Sequence, residues 1–173
     1  MELNRSKTDF DKNVDFMQIS INLKRKAYKF IGMGSGRLVF DMGNGYVVKV
    51  ARNQKGIGQN KAEYKVALVD DSDLFAKILS VSEGFQFVIM DKADKIKDIT
   101  FVWDYFNVKN NHELCQTKKL QDISSRYGLL FSDLTRAVNW GQINGKPVII
   151  DYGFTREVRR RFYLPPFFRI LRR

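Results

Sequence analysis

A lysine in the middle of an apolar run constrains this chain more than any other feature. Lys49 stands inside Val47-Val48-Lys49-Val50-Ala51, a run whose β-branched residues read as a buried strand. An unpaired ammonium buried there costs several kcal/mol or gives up its proton. The fold must therefore bring an anion to Lys49 or leave it on the solvent face of an edge strand. Two sources of anion lie nearby in the sequence: Glu63 in the segment that follows, and a phosphate cradled by the glycines of Gly32-Met33-Gly34-Ser35-Gly36 upstream.

The neighbouring runs extend the strand reading. Tyr28-Lys29-Phe30-Ile31, Leu38-Val39-Phe40, Tyr46 to Val50, Ala76 to Val81 and Phe85 to Met90 are short and β-rich, and Gly43-Asn44-Gly45 is a hairpin turn that makes the second and third antiparallel neighbours. Ala62, Val66 and Val69 at helical spacing predict one helix over Gly58 to Asp70, so residues 28–90 form a β-rich lobe with a single helix. After Met90 the pattern turns helical, over Ile99 to Phe106 and again over His112 to Leu130, where Leu114, Leu120, Ile123, Tyr127 and Leu130 share a face. A strand–turn–strand, Gln142-Ile143 and Pro147 to Ile150 around Asn144-Gly145, delivers Asp151-Tyr152-Gly153. Residues 1–27 read as an arm or helix with Phe10, Val14, Met17 and Ile21 on its docking face, and residues 155–173 as a basic aromatic tail.

Charge and cysteine content narrow the partners. The net charge is +11, and residues 156–173 hold seven Arg against one Glu, so the field favours acidic proteins, nucleotides, nucleic acid or anionic lipid. The single Cys115 makes no intrachain disulfide, the first residues lack an apolar signal core, and no stretch reaches the roughly 18 apolar residues of a membrane span. These features predict a cytoplasmic protein. His112 and Cys115 are too few for a zinc site, which takes about four ligands.

Three groups carry chemistry. The glycine loop lies between two strands, so it is neither a dinucleotide fingerprint, which opens a helix, nor a Walker loop, which needs Gly-Lys-Ser/Thr. Its glycines let the backbone approach phosphate oxygens, and Val39 can cover a purine. Lys49 and Glu63 form the second group. The third is Asp133, Asn139 and Asp151, two carboxylates and an amide suited to magnesium and a nucleotide, since hard cations prefer oxygen.

In this order the three groups resemble the catalytic core of the protein-kinase-like superfamily, over residues 28–154. The compact layout is similar to small kinase-like proteins of phages and bacteria. The resemblance implies an α+β, minimal two-lobed fold: a β-rich small lobe with one helix, a hinge, and a truncated, mainly α large lobe over 91–154. It implies ATP and Mg2+ as cofactors. Gly32, Gly34, Gly36 and Val39 would surround the nucleotide, Met90, Asp91 and Ala93 would lie at the hinge that holds adenine, and Lys49 would hold phosphates, oriented by Glu63. Asn139 and Asp151 would hold metal, while Asp133 would orient or deprotonate the acceptor hydroxyl.

The departures define the alternatives. Arg37 stands where the family has a third glycine, either adding a phosphate contact or obstructing one. Phe131-Ser132 replace the His-Arg before the catalytic aspartate, so no arginine there serves a phosphorylated activation loop. Asn139 lies six residues after Asp133 where the motif has five, which implies a local bulge offset by a shorter hairpin. Only twenty residues follow Gly153, which implies that peptide recognition comes from elsewhere, a docking partner or the tail. The leading expectation is an ATP- and magnesium-dependent phosphotransferase of serine/threonine protein-kinase type. A pseudokinase that binds a protein partner, a small-molecule kinase and a nucleic-acid-binding protein are the alternatives. Arg159, Arg160, Arg161, Arg169, Arg172 and Arg173 are the expected contacts to an anionic partner.

Overall fold

The computed structural model describes residues 14–165 and divides the chain into two compact units. One gathers the residues up to Leu68 with Lys77–Lys92; the other gathers Val69–Ala76 with the residues from Ala93 onward. The α+β class and the division into a β-rich and a mainly helical part are as expected.

In the first unit β1 (Lys29–Met33), β2 (Arg37–Asp41), β3 (Tyr46–Ala51), β4 (Ile78–Val81) and β5 (Phe87–Asp91) form one antiparallel sheet, in the order β1-β2-β3-β5-β4. The β2–β3 turn places Gly43 and Gly45 at φ 78° and 87°, which is why glycine is needed there. β3 is therefore central, and the edge-strand alternative for Lys49 is wrong. Successive residues of β3 point to opposite faces. Val48 packs with Ile89 of β5 and Ile19 of helix α1 (Phe16–Lys24), while Lys49 points to the other face, where helix α2 (Gln54–Ala67) lies.

Both helices correct the expected registers. Val14 packs on the core as expected, but in α1 the docked residue is Ile19, with Phe16 and Leu23 beside it, and Met17 is 76% exposed; Phe10 lies outside the described residues. α2 starts four residues before the expected Gly58, because the Asn53 side chain accepts hydrogen bonds from the N–H groups of Lys55 (3.0 Å) and Gly56 (3.2 Å). It ends at Ala67, which leaves Val69 exposed. Its buried face is Gly56, Gln59, Asn60, Glu63 and Val66, mostly polar, so apolar periodicity understates it.

Gly56 sets how closely α2 approaches the sheet. A Cβ there would stand 2.1 Å from the Gly36 carbonyl oxygen and 3.0 Å from the Ala51 Cα. Glycine to alanine within a helix ordinarily stabilises by roughly 0.5–1 kcal/mol, whereas overpacking against a backbone costs roughly 1–3 kcal/mol. Gly56→Ala is expected to lower the thermal unfolding midpoint, and a raised midpoint would show that the contact is not rigid.

The second unit holds a three-stranded sheet of β6 (Asp94–Lys95), β7 (Trp140–Ile143) and β8 (Lys146–Ile149), with helices α3 (Thr100–Phe106), α4 (Asn111–Gln116), α5 (Lys118–Tyr127), α6 (Phe131–Leu134) and α7 (Arg156–Phe162). Residues 74–76 run beside β8: the Ile149 N–H donates to Leu74 O at 2.6 Å and the Ala76 N–H to Ile149 O at 3.0 Å. The single helix expected over His112 to Leu130 is broken twice. Thr117 is extended, with its hydroxyl donating to Leu114 O at 2.8 Å, and Gly128 ends α5 in the left-handed region at φ 67°. Leu114, Leu120 and Ile123 are nevertheless buried, as their spacing predicts.

α7 buries Val158 and exposes Arg159, Arg160 and Arg161. Arg169, Arg172 and Arg173 lie outside the described residues. Among the described residues no helix is long and apolar enough to cross a membrane.

Candidate active site

In the first unit, β2 and β3 place Val39 directly opposite Lys49, and β3 and β5 place Val88 opposite it on the other side. Directly opposite residues share a face, so Val39, Lys49, Val88 and, one pair along, Met90 belong to the face that α2 covers. The Lys49 Nζ lies 2.7 Å from Glu63 Oε1, in a pair whose side chains are 5% and 0% exposed. Lys49 thus has the carboxylate partner its apolar strand demands.

A second cation joins this pair. Arg37, at the start of β2, is buried, and its Nη1 lies 2.8 Å from Glu63 Oε2 and donates to Asn60 Oδ1 at 3.2 Å. Asn60 passes the connection on, donating to Phe85 O at 2.8 Å. Sequence reasoning weighed Arg37 only as a loop residue acting on phosphate. The long gap between Arg37 and Glu63 hid the pairing, although an arginine beginning an apolar strand raises the same demand for an anion as Lys49.

The loop glycines divide into two kinds. Cβ atoms at Gly32 and Gly34 would meet nothing within 4 Å, so the fold itself makes no demand for glycine there. A Cβ at Gly36 would stand 2.6 Å from the Gly56 N, and the Gly36 carbonyl accepts from the Arg52 N–H at 2.8 Å. Gly36 therefore has a packing role against α2.

At the expected hinge, Met90 is buried in β5, and Asp91 ends that strand. The Asp91 N–H donates to Lys77 O and the Lys92 N–H to Gly45 O, both at 2.9 Å, so the sheet already uses these two donors. Ala93, in the second unit, lies against Gly141, where an added Cβ would meet the Ala93 Cβ at 2.7 Å.

In the second unit Asn139 ties the remaining candidates together. Its Nδ2 donates to the Asp133 carbonyl at 2.9 Å, and its own carbonyl accepts the Ile150 N–H at 2.8 Å and the Asp151 N–H at 3.4 Å. Because only the amide nitrogen can donate, this bond leaves Asn139 Oδ1 as the atom to meet a cation. A 3-10 turn over Ala137–Asn139 lies between Asp133 and the strand that follows. The hairpin that leads on to Asp151 closes on the two-residue Asn144-Gly145 turn, with φ 52° and 75°.

Tyr152, the residue after Asp151, is anchored. Its ring is buried, 4.7 Å from that of Phe75, and its hydroxyl donates to Ala76 O at 2.9 Å. Asp151 itself is exposed. An anchored aromatic beside an exposed carboxylate fits a cation held at the surface, and the donor set of Asp151 and Asn139 oxygens has the hardness magnesium prefers.

Burial, then the charge of Asp151, pushes the Asp133 carboxyl above the usual carboxylate range, while Arg136 and Arg159 pull it down. Leu134 is buried and holds α6 in place, and its carbonyl accepts from the Trp140 indole at 2.8 Å. Val138, 69% exposed, lies between these residues in the chain.

No family model matches the sequence. No curated protein matches it either. Among solved structures, the chain is similar to the streptomycin–ATP–APH(2")-IIa ternary complex, with 15% identity, a TM-score of 0.46, and coverage of 83% of this chain and 73% of that one. It is also similar to the gentamicin complex of APH(2")-IIa, with 16% identity, a TM-score of 0.46, and coverage of 83% and 71%. The chain's own elements are a five-stranded sheet with one helix between β3 and β4, a buried Lys49–Glu63 pair, and Asp133 joined through Asn139 to the strand end at Asp151.

Proposed function

We propose that this chain transfers the γ-phosphate of ATP to a hydroxyl of an acidic protein segment. The observation that carries the reading is the Asn139 knot, which ties the Asp133 backbone carbonyl to the Asp151 loop and so places beside that loop a carboxyl of raised proton affinity. Phosphoryl transfer asks for positioning and charge stabilisation rather than covalent chemistry. Lys49, held by Glu63, supplies positive charge to nucleotide phosphates, and the open backbone at Gly32 and Gly34 admits a phosphate closely. Asp133 accepts a hydrogen bond from the acceptor hydroxyl and takes its proton as the hydroxyl oxygen bonds to the γ-phosphorus, while the bond from that phosphorus to the β,γ-bridging oxygen breaks and ADP leaves with the bridging oxygen. Magnesium, which Asp151 and Asn139 Oδ1 would hold, neutralises phosphate charge when bound.

The acceptor's character follows from the cations around Asp133. Arg136 and Arg159 both act on it, and α7 exposes Arg156, Arg159, Arg160 and Arg161 against the single Glu157. This field attracts an acidic segment and repels a polycationic acceptor such as an aminoglycoside. Transfer is expected to favour an acidic serine- or threonine-containing peptide over a basic one. Its KM should rise with ionic strength and rise further in Arg159→Glu. Equal use of acidic and basic peptides, or a preference for aminoglycosides, would defeat the acceptor assignment.

A further inference from the structure

We propose that Arg37 is a positioning residue that holds Glu63, and with it helix α2, in the arrangement that presents Lys49. The purpose given to that arrangement rests on the phosphotransferase reading; the hold itself does not.

The geometry gives each oxygen of one carboxylate its own cation. Glu63 Oε1 lies 2.7 Å from Lys49 Nζ, and Oε2 lies 2.8 Å from Arg37 Nη1. The two cations come from adjacent strands of the sheet, Arg37 opposite Ala51 and Lys49 one pair further along the same face. Glu63 is 0% exposed, and a carboxylate removed from water needs its remaining lone pairs satisfied. The same guanidinium nitrogen donates to Asn60, three residues before Glu63 and therefore on the same face of the helix. α2 is thus held at two points about one turn apart by one guanidinium nitrogen, through an ion pair to Glu63 Oε2 and a hydrogen bond to Asn60 Oδ1. Asn60 extends the grip to the 83–85 turn through Phe85 O. A lysine ammonium on its flexible stem reproduces the charge but not the fixed placement of a planar guanidinium.

The test uses the full chain with Arg37→Met, Arg37→Lys, Glu63→Gln and the Arg37→Met/Glu63→Gln double variant. Amide hydrogen exchange is followed across Gln54–Ala67, with β7 and β8 as an internal reference. Arg37→Met is expected to speed exchange in α2 by about tenfold or more while leaving β7 and β8 unchanged, and Arg37→Lys to fall between it and the parent. In steady-state phosphoryl transfer, Arg37→Met should lower kcat more than it raises the KM for ATP. In phosphoryl transfer the double variant should lose far less than the product of the two single losses, because Arg37 reaches Lys49 mainly through that carboxylate.

Unchanged α2 exchange in folded Arg37→Met overturns the proposal, as do multiplying losses in the double variant or an Arg37→Lys chain identical to the parent. If Arg37→Met does not fold, the Arg37→Lys exchange pattern decides. If the parent transfers no phosphate, the phosphotransferase reading falls, and the exchange data still decide the role of Arg37.

Discussion

Asp133→Asn is expected to cut γ-phosphate transfer by about 10²–10⁴-fold, the usual worth of a positioned acid or base, with ATP affinity and fold retained. Asparagine keeps the shape and the backbone carbonyl that Asn139 grips, and removes only the group that takes a proton. The same change should not lower the unfolding midpoint near neutral pH. Burial and Asp151 raise the Asp133 carboxyl above its ordinary value, so the folded chain holds that proton more tightly than the unfolded chain. Stability contributed by the protonated form is present below the unfolded value and is lost as pH rises through the raised one. At neutral pH the ionised carboxylate is therefore a cost to the fold, which asparagine removes. Loss of transfer together with a marked fall in midpoint would show that Asp133 is needed for folding rather than for proton transfer.

Glu63→Ala should be the most damaging single change in the first unit. It removes the carboxylate that faces both Lys49 and Arg37, each side chain only 5% exposed. Breaking a buried ion pair by deleting one partner costs about 3–5 kcal/mol, which in a chain of this size is a midpoint fall on the order of 10 °C. Transfer should fall to background, since Lys49 loses the group that orients it. Glu63→Gln keeps the volume and one acceptor and should retain more stability than alanine. Alanine and glutamine variants that both unfold within about 1 kcal/mol of the parent would mean that the cluster behaves like an exposed ion pair.

The features of the fold that were legible in the sequence are those where chemistry and period agree. Lys49 demanded an anion in any buried strand, and Glu63 was the nearest one on a helix. The Gly43-Asn44-Gly45 and Asn144-Gly145 turns fixed two hairpins through the positive φ they supply. What escaped lay where burial is polar or a break is local. α2 turns Gln59, Asn60 and Glu63 inward, so its apolar residues marked the wrong limits. Thr117 interrupts a helical face that continues on either side, and spacing alone cannot register that. Gly36 and Arg37 were read as loop residues because their partners, Gly56 and Glu63, are distant in sequence and meet them only when α2 packs on the sheet. Asp133, Asn139 and Asp151 were identified by residue type and order. The bonds through Asn139 that join them depend on backbone atoms, to which residue identity gives no guide.

The most direct measurement is incorporation of radiolabelled γ-phosphate from Mg-ATP into an acidic acceptor protein, comparing the parent chain with Asp151→Ala. Asp151 is exposed while its neighbour Tyr152 carries the packing, so the variant should fold normally. The account predicts magnesium-dependent incorporation by the parent and none above background in the variant. Equal incorporation by both would remove Asp151 from the chemistry. No incorporation by a parent chain that binds ATP would contradict the phosphotransferase reading and identify the fold as a nucleotide-binding module.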